Sequence, residues 1–326
     1  MIFLNRENTE AKITEFARKR LPFLFVIDSS MNKGIVVLAG EAAKEGILFN
    51  FNGIKNYQAE PEKKPLLQFE FHPISFKTYE KAFNQVVLHL HRGDTYLLNL
   101  TFPTPVTTNL SIEDIFYNSG ASYKLLVTDE FVVFSPEIFI RIKDNIISSY
   151  PMKGTIDAGF PDAGKIILSD KKEFFEHNTI VDLIRNDLAM VAANVKVKRF
   201  RYIDRIHTNR KDLLQVSSEI TGELQGDHLS RAGEILFTLL PAGSVTGAPK
   251  EKTIEIIRNT EMDDRGFYTG VCGYFDGSSV DSAVMIRFIE KTENGMVFRS
   301  GGGITALSRA EDEYRELIDK IYVPVV

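Results

Sequence analysis

The stretch that decides the fold class is FYTGVCGYFDGSSVDSAVMIRFIEKTENGMVFRSGGG, residues 267–303. Short runs rich in β-branched and aromatic residues alternate in it with turn residues, a pattern typical of consecutive strands. One of these strands is predicted over residues 280–290, and the pair Asn294-Gly295 is a strong signal for a β-hairpin. The segment therefore predicts a block of strands.

Helices are predicted on both sides of this block, and further strands come before them. Apolar runs within residues 21–51, 95–101 and 123–152 predict strands, and helical patterns cover residues 78–90, 111–119, 170–193, 247–259 and 309–321. Residues 60–65 predict a loop. Because strands and helices come in mixed blocks rather than in strict alternation, the sequence predicts an α+β fold in one intertwined domain, residues 1–326.

Composition excludes several classes of protein. The chain has 326 residues, 44% of them hydrophobic, and a formal net charge of −5, so no basic field indicates a nucleic-acid partner. Its single cysteine, Cys272, excludes an intrachain disulfide and suits a reducing compartment. Neither a signal peptide nor an apolar run of membrane-spanning length is present. We expect a soluble cytoplasmic protein.

Lys153 and Glu137 form the first candidate catalytic pair. Glu137 lies in the first strand of a predicted hairpin with its turn near Asp144-Asn145, and Lys153, in PMKGT (151–155), follows the second strand. A loop of odd length would place both side chains on one face, whereas a two-residue loop would place them on opposite faces. On one face, they would be either an acid and an amine flanking a cleft or an ordinary cross-strand ion pair, worth about 0.2–1 kcal/mol.

Three glutamates are candidate metal ligands. Glu176 shares a helical stripe with Ile180, so it must be paired, protonated or bound to a cation, unless it lies in a frayed first turn. Glu313 and Glu316 are three residues apart on the last helix, with Lys320 positioned for a solvated ion pair as the alternative. Together the three carboxylates suit Mg²⁺.

Two glycine-rich stretches and one arginine are candidates for binding an anion. GSVTGAPK (243–250) is a tight turn that leads into a helix, where backbone amides favour an anion. SGGGI (300–304) ends a strand and either lets a ligand carboxylate approach the backbone or is merely a turn. Arg287 lies among apolar residues and either clamps a carboxylate or extends to water. These features suit a small dianionic substrate.

Eight motifs occur in an order that we know from one enzyme family. They are SPEIFI (135–140), PMKGT (151–155), EHNTIVDLIRND (176–187), GSVTGAPK (243–250), GVCGYF (270–275), DSAVMIRF (281–288), SGGGI (300–304) and EDEYRELIDK (311–320). With GDTYLLNLTF (93–102), the resemblance covers residues 80–326 and is to the chorismate-utilising enzymes, most closely component I of aminodeoxychorismate synthase. Residues 1–75 match poorly and resemble a shortened N-terminal region.

The resemblance implies two packed β-sheets flanked by helices, which bind chorismate with Mg²⁺. Members that make anthranilate, isochorismate or salicylate usually have alanine at the position of Lys153, whereas the aminodeoxychorismate branch has lysine. It implies that Lys153 attacks C2 of chorismate as the C4 hydroxyl leaves, with Glu137 as the general acid and base. Ammonia from a separate glutamine amidotransferase subunit would then add at C4, in a transferase reaction leading to 4-aminobenzoate and folate.

The resemblance also assigns the binding residues. Glu176, Glu313 and Glu316 match the Mg²⁺ positions. The residues that match substrate contacts are Arg287, Tyr274, Gly301, Gly302, Gly303, Lys320, Thr246 and Thr155. Gln215 stands where many relatives have histidine, and glutamine cannot deliver a proton. The alternatives are an anthranilate or isochorismate synthase, which Lys153 argues against, and a chorismate-binding subunit without catalysis.

Overall fold

The structure is a computed structural model that describes residues 2–58, 68–206 and 212–324. The loop predicted at residues 60–65 lies outside the described residues. Within the described ranges, no helix is both long enough and apolar enough to cross a membrane.

The helices largely follow the predicted pattern. They are α1 (Arg6–Arg18), α2 (Phe76–Arg92), α3 (Ile112–Asn118), α4 (Ala163–Ser169), α5 (Lys171–Ala189), α6 (Ala232–Leu239), α7 (Lys250–Thr260) and α8 (Ala310–Asp319). Asp170 caps α5 by accepting a hydrogen bond from the amide of Glu173. Helix α7 begins later than predicted, because Gly247 and Ala248 pair as a short strand before it. The sequence patterns did not predict α1, α4 or α6.

The strands are short except for four. They are β1 (Phe23–Ile27), β2 (Gly34–Leu38), β3 (Ile47–Phe51), β4 (Ile54–Lys55), β5 (Phe69–Phe71), β6 (Leu97–Thr108), β7 (Tyr123–Val127), β8 (Phe131–Ser135), β9 (Ile138–Lys143), β10 (Ile146–Ser149), β11 (Met152–Asp157), β12 (Ala193–Ile206), β13 (Leu213–Glu223), β14 (Gly247–Ala248), β15 (Val271–Phe275), β16 (Val280–Val284), β17 (Phe288–Thr292) and β18 (Gly295–Ile304).

These strands form two antiparallel nine-stranded sheets, which confirms the predicted fold class. Sheet A has the order β11-β13-β10-β9-β16-β15-β1-β2, with β12 paired to β13. Sheet B has the order β14-β6-β18-β17-β8-β7-β3-β4, with β5 paired to β6. Apolar side chains from β1 and β15 pack against those from β3 and β7, forming a core between the sheets. Helices α1, α5 and α6 cover the outer face of sheet A, and α2 and α8 cover part of sheet B.

At two places the chain passes directly from a strand of one sheet to a strand of the other within three residues, and one of these crossings corrects a prediction. The strand predicted over residues 280–290 is wrong, because β16 ends in sheet A at Val284 and β17 begins in sheet B at Phe288. Arg287, between them, has a left-handed backbone (φ 53°). The chain crosses in the other direction at residues 136–137, between β8 and β9. The two crossings are hydrogen-bonded, Val284 N to Glu137 O (3.1 Å) and Phe134 N to Arg287 O (3.0 Å).

Candidate active site

Glu137 lies at the crossing between the sheets rather than in a strand. Its carboxylate accepts a hydrogen bond from Ser244 Oγ. Burial raises the pKa of Glu137, and the hydrogen bond from Ser244 and the charges of Lys320 and Arg287 oppose that effect only in part. A carboxyl group whose pKa is raised keeps its proton to higher pH than a solvated one, which suits a proton donor.

Arg287 occupies the partner crossing. Its guanidinium lies 5.2 Å from the centre of the Tyr322 ring. Its Nε is buried and has no hydrogen-bond partner among the described residues. Because buried donors are normally paired, this one indicates a place for an acceptor that the chain itself does not supply, such as a ligand carboxylate.

Lys153 contacts Glu176 and not Glu137. The β9–β10 hairpin turns through two residues, Asp144 and Asn145, both left-handed (φ 51° and 63°), so the register does not place Lys153 and Glu137 on one face. After the hairpin, β11 leaves β9 and pairs with β13. The Nζ of Lys153 lies 2.7 Å from Oε2 of Glu176 on α5. The expected pairing of Lys153 with Glu137 is therefore replaced by an ion pair with α5.

The charge state of Lys153 reflects two opposed effects. Burial lowers the pKa of the amine, whereas the carboxylates of Glu176, Glu316 and Glu173 raise it, and together they outweigh burial. The net direction is upward. The amine therefore depends on its carboxylate neighbours, and any neutralisation of those carboxylates would leave burial unopposed.

Glu173 is a further glutamate near Lys153, in addition to the three candidate metal ligands, and the sequence interpretation missed it. Its Oε2 is buried and has no hydrogen-bond partner in the part of the chain that the structure describes. A β-carbon on Gly154, whose φ is +77°, would lie 3.0 Å from that oxygen, so glycine makes room for it. Burial raises the pKa of Glu173, Lys153 lowers it, and Glu176 and Glu316 raise it further. Its spacing from Glu176 is the same three residues that separate Glu313 from Glu316.

Helix α8 brings Glu313, Glu316 and Lys320 against the glycines of β18. Glu313 is buried, and Lys320 Nζ lies 2.6 Å from Glu316 Oε1 and donates to Gly301 O (2.8 Å). A β-carbon on Gly302 would lie within 4 Å of all three of these α8 side chains. Burial lowers the pKa of Lys320, and Glu316 offsets this only in part. Gly301, Gly302 and Gly303 continue β18 opposite β6 rather than forming a turn.

The turn at residues 243–248 positions side chains but its amides are used internally. The amides of Val245 and Thr246 donate to carbonyl groups within the turn, and Thr246 is buried. Lys250 forms an ion pair with Asp187 (2.9 Å) and donates to Leu239 O (2.8 Å). The amides of Val245 and Thr246 and the amine of Lys250 are therefore engaged within the protein, and the turn contributes Ser244 to Glu137.

Three residues that were predicted to contact the substrate do not lie with the charged residues described above. Tyr274 packs its ring 5.5 Å from that of Phe49, in the core between the sheets. Gln215 pairs with Thr155, and because Lys153 pairs with the next residue along β13, Gln215 lies on the opposite face. Thr155 is exposed. Burial raises the pKa of Tyr268, which the sequence did not single out, to about 12, and the charges of Arg265 and Arg287 oppose that rise.

The carboxylates of this cluster are the kind of ligand that a divalent cation prefers, but they are not arranged as a metal site. Among residues 2–58, 68–206 and 212–324, no three carboxylate, imidazole or thiolate groups are close enough to hold a metal ion. Glu176 and Glu316 instead contact the ammonium groups of Lys153 and Lys320. The carboxylates are nevertheless oxygen donors from two facing helices, and the unpartnered Oε2 of Glu173 is an acceptor that a cation would satisfy.

Sequence comparisons connect the chain to chorismate enzymes. The sequence profile of a family described as "chorismate binding enzyme" matches residues 13–325. A Haemophilus influenzae protein named "Uncharacterized PabA-like protein" is 50% identical over 95% of this chain and 94% of its own length. Anthranilate synthase component 1 of Archaeoglobus fulgidus is 34% identical over 76% of this chain and 61% of its own length. Aminodeoxychorismate synthase component 1 of Bacillus subtilis is 28% identical over 77% and 55%.

Solved structures share the fold. The menaquinone-specific isochorismate synthase MenF of Escherichia coli superposes with a TM-score of 0.76 at 16% identity, over 98% of this chain and 82% of that one. Anthranilate synthase component I of Streptococcus pneumoniae gives a TM-score of 0.66 at 25% identity, over 80% and 60%.

Proposed function

Because the chain belongs to the chorismate-binding enzyme family, we propose that it is an aminodeoxychorismate synthase component I. It would convert chorismate and ammonia to 4-amino-4-deoxychorismate, on the route to 4-aminobenzoate and folate. The observation that carries the proposal is the position of Lys153, whose amine is largely buried beside the carboxylates of α5 and α8. A lysine there offers a nucleophile that an alanine could not.

The first half of the proposed reaction forms a covalent adduct. Lys153 first releases its ammonium proton to solvent. Its neutral amine then bonds to C2 of the ring, the two ring double bonds shift, and the C4–oxygen bond breaks. Glu137 donates a proton, so the hydroxyl leaves as water. The raised pKa of Glu137 keeps that proton available, and its hydrogen bond with Ser244 fixes the carboxyl group.

The second half returns the enzyme to its starting state. Ammonia bonds to C4, the double bonds shift back, and the bond between C2 and Lys153 breaks. Glu137 takes up a proton from the incoming ammonia. The two displacements replace one difficult exchange at C4. The nitrogen would come from a separate glutamine amidotransferase subunit.

Arg287 and Lys320 are the proposed partners of the two substrate carboxylates. Arg287 has a buried donor without a partner, and Lys320 already donates to the backbone of Gly301. Planar guanidinium groups bind carboxylates through two parallel hydrogen bonds. We infer that these cations orient the ring so that C2 faces Lys153 and C4 faces Glu137.

Mg²⁺ is the proposed cofactor, held by Glu176, Glu313 and Glu316 with Glu173 beside them. Apart from Glu137, which the proposed reaction keeps protonated, the cluster has four carboxyl groups, Glu173, Glu176, Glu313 and Glu316, against three cations, Lys153, Arg287 and Lys320. A dianionic substrate would meet a net negative site unless a divalent cation balanced it. When bound, the metal would supply positive charge for the ring carboxylate. Carboxylates of this set that held a cation would no longer raise the pKa of the Lys153 amine.

Anthranilate synthase is the second candidate, because a relative of that name is 34% identical to this chain. One incubation distinguishes the two: the protein with chorismate, Mg²⁺ and ammonium, followed by product identification from mass and absorbance. We expect 4-amino-4-deoxychorismate. Anthranilate, isochorismate or no turnover would contradict the proposal.

A further inference from the structure

A buried ion pair lies beside the turn that carries Ser244. Lys250, the first residue of α7, places its Nζ 2.9 Å from Oδ2 of Asp187 on α5, and the two side chains are only 17% and 13% exposed. The same amine donates a hydrogen bond to the carbonyl group of Leu239, the last residue of α6 (2.8 Å). One cation therefore joins three helices, and the reaction proposed above gives it no role.

This ion pair supports the turn at residues 243–248. A β-carbon on Gly243 would lie 2.9 Å from Oδ2 of Asp187 and 2.9 Å from Cδ2 of Leu183, so α5 packs directly against the backbone there. Gly243 immediately precedes Ser244, and Lys250 follows the end of the turn. The carboxylate of Asp187 therefore contacts the start of the turn and, through the amine of Lys250, also holds the residues that follow it.

Ser244 passes this constraint on to Glu137. Its Oγ donates a hydrogen bond to Oε1 of Glu137, and the next residue along the turn is held separately, because Arg265 donates to the carbonyl group of Val245 (2.8 Å). Glu137, Ser244 and Asp187 line one cavity. The ion pair and the proposed acid are therefore connected through a single side chain.

The charged groups that act on the Glu137 carboxyl are Lys320 from α8 and Arg287 from the neighbouring crossing, and Asp187 from α5 lines the same cavity. Burial raises the pKa of Glu137, whereas the hydrogen bond from Ser244 and the two cations lower it. A donor that binds a carboxylate favours its charged form. Loss of the Ser244 hydrogen bond alone should therefore raise the pKa of Glu137 further.

We propose that Lys250 and Asp187 are positioning residues for the proposed acid, because their ion pair holds the turn in the place where Ser244 fixes the carboxyl group of Glu137. This inference rests on the proposed function, since it takes Glu137 as the group that donates a proton to the leaving hydroxyl. No bond forms or breaks at Lys250 or Asp187. A misplacement of about 1 Å in a catalytic site can cost about a hundredfold in rate.

The test is a double-mutant cycle of Lys250→Met and Ser244→Ala in the full chain. Asp187→Asn keeps the shape of the side chain and removes its charge, and it replaces Lys250→Met in the cycle if that variant does not fold. Lys198→Met is the matched control, because its amine lies 2.8 Å from the carboxylate of Glu219, which is 11% exposed, and joins β12 to β13. Each protein is assayed with chorismate, Mg²⁺ and ammonium, and kcat and KM are measured across pH.

Lys250→Met is expected to lower kcat and kcat/KM equally, by about tenfold or more, because the placed acid acts only in the transition state. The alkaline decline of kcat/KM should move to higher pH, as in Ser244→Ala. In the Ser244→Ala background, Lys250→Met should change neither the rate nor the pH profile much further. The control Lys198→Met should keep the rate and the pH profile of the wild type.

A pH profile that does not move in Lys250→Met would overturn the inference, since the ion pair would then serve the fold alone. So would effects that add fully to those of Ser244→Ala, because the ion pair would not act through that residue. If the wild type does not aminate chorismate, the proposed function fails. The pKa of Glu137, titrated by infrared difference spectroscopy against Glu137→Gln, then decides the inference. A rise in Lys250→Met that is absent in the Ser244→Ala background supports it, and an unchanged value overturns it.

Discussion

Two buried ion pairs in this molecule each join a cation to a carboxylate, but they differ in how fully the polar groups around them are hydrogen-bonded. Arg265 and Glu261 are 7% and 4% exposed, and the guanidinium makes five hydrogen bonds, two to Glu261 and the others to Val245, Asn99 and Thr269. Glu261 also accepts from the amide of Thr101. This pair ties α7, β6 and the turn before β14 together, with its donors used.

In the pair of Lys153 and Glu176, the carboxylate is buried about as deeply as that of Glu261. The polar groups around this pair, however, are not all hydrogen-bonded. Glu176 is 6% exposed and Lys153 20% exposed. Around them, Glu173 has a buried oxygen without a partner, and charges from α8 raise the pKa of Lys153. A satisfied polar network holds a fold, whereas a partly satisfied one costs stability and is retained where it serves a ligand. Under the proposed function, the first pair is structural and the second serves the substrate.

Loss of the amine is expected to have the largest effect. Lys153→Ala should reduce turnover of chorismate and ammonium by about a thousandfold or more, as removal of a nucleophile does. Lys153→Arg is the matched control, because it keeps the charge beside Glu176 but cannot form the adduct. Intact mass of the wild type with chorismate should show an adduct that both variants lack. An unchanged rate and no adduct in the wild type would remove the nucleophilic role.

Removal of the proposed acid should come next. Glu137→Gln should lower turnover by about 10²–10⁴-fold. Because burial raises the pKa of Glu137, the acid form persists to higher pH, and kcat/KM of the wild type should fall as pH rises through that pKa. The variant should lack this alkaline decline. A decline of the same shape in Glu137→Gln would assign the titration to another group.

The structural pair should show its effect in stability. Arg265→Met leaves the buried Glu261 carboxylate without its cation and should lower the free energy of unfolding by about 3–5 kcal/mol. Removing both charges, in Arg265→Met with Glu261→Met, should cost less than the sum of the single changes. Urea denaturation measures both. If the two changes were additive, the pair would not act as a unit.

The smallest effect is the pH dependence contributed by His177, the neighbour of Glu176 on α5. Its ring is buried, its Nε2 lies 2.6 Å from Ser218 Oγ, and burial and Arg201 lower its pKa to about 4. An unfolded histidine titrates near 6.5, so the unfolded state binds more protons between pH 4 and 6.5, and stability is lost as pH falls through that window.

The full contribution of His177 is at most about 3 kcal/mol. Urea midpoints at pH 7 and pH 5 should differ more for the wild type than for His177→Gln, which has no group to titrate there. An equal shift in both proteins would show that His177 does not cause the loss of stability between pH 7 and pH 5. The comparison of the two regions would then rest on the two ion pairs alone.

Local patterns predicted most of the elements but not their connections. The predictions over residues 111–119 and 170–193 placed the starts of two helices correctly, where the structure shows Ser111 and Asp170 as caps. The strand predicted over residues 280–290 was wrong, because Val284 and Phe288 belong to different sheets and the chain crosses between them through Arg287, which has a left-handed backbone. Nothing in hydrophobic periodicity distinguishes a long strand from two that meet at a sheet change.

The site was predictable in its residue types and less so in its pairings. Glu173 could have been found, because it precedes Glu176 by the same three residues that separate Glu313 from Glu316. The partner of Lys153 could not, since β11 leaves the hairpin to pair with β13. Tyr274 lies in a motif whose residues match the family. Because side chains alternate between the two faces of a strand, however, its side chain points into the core between the sheets.

The sequence by itself determined the family, the mixed α+β class and the set of acids and amines, since motifs and short-range periodicity are local properties of the chain. Tertiary structure alone decided which charges meet. Glu137 and Arg287 come together because two chain segments cross between sheets side by side, and Lys153 meets Glu176 because a helix packs over β13. Those contacts join residues that are 23 to 150 positions apart, and their distances depend on packing that no local pattern encodes.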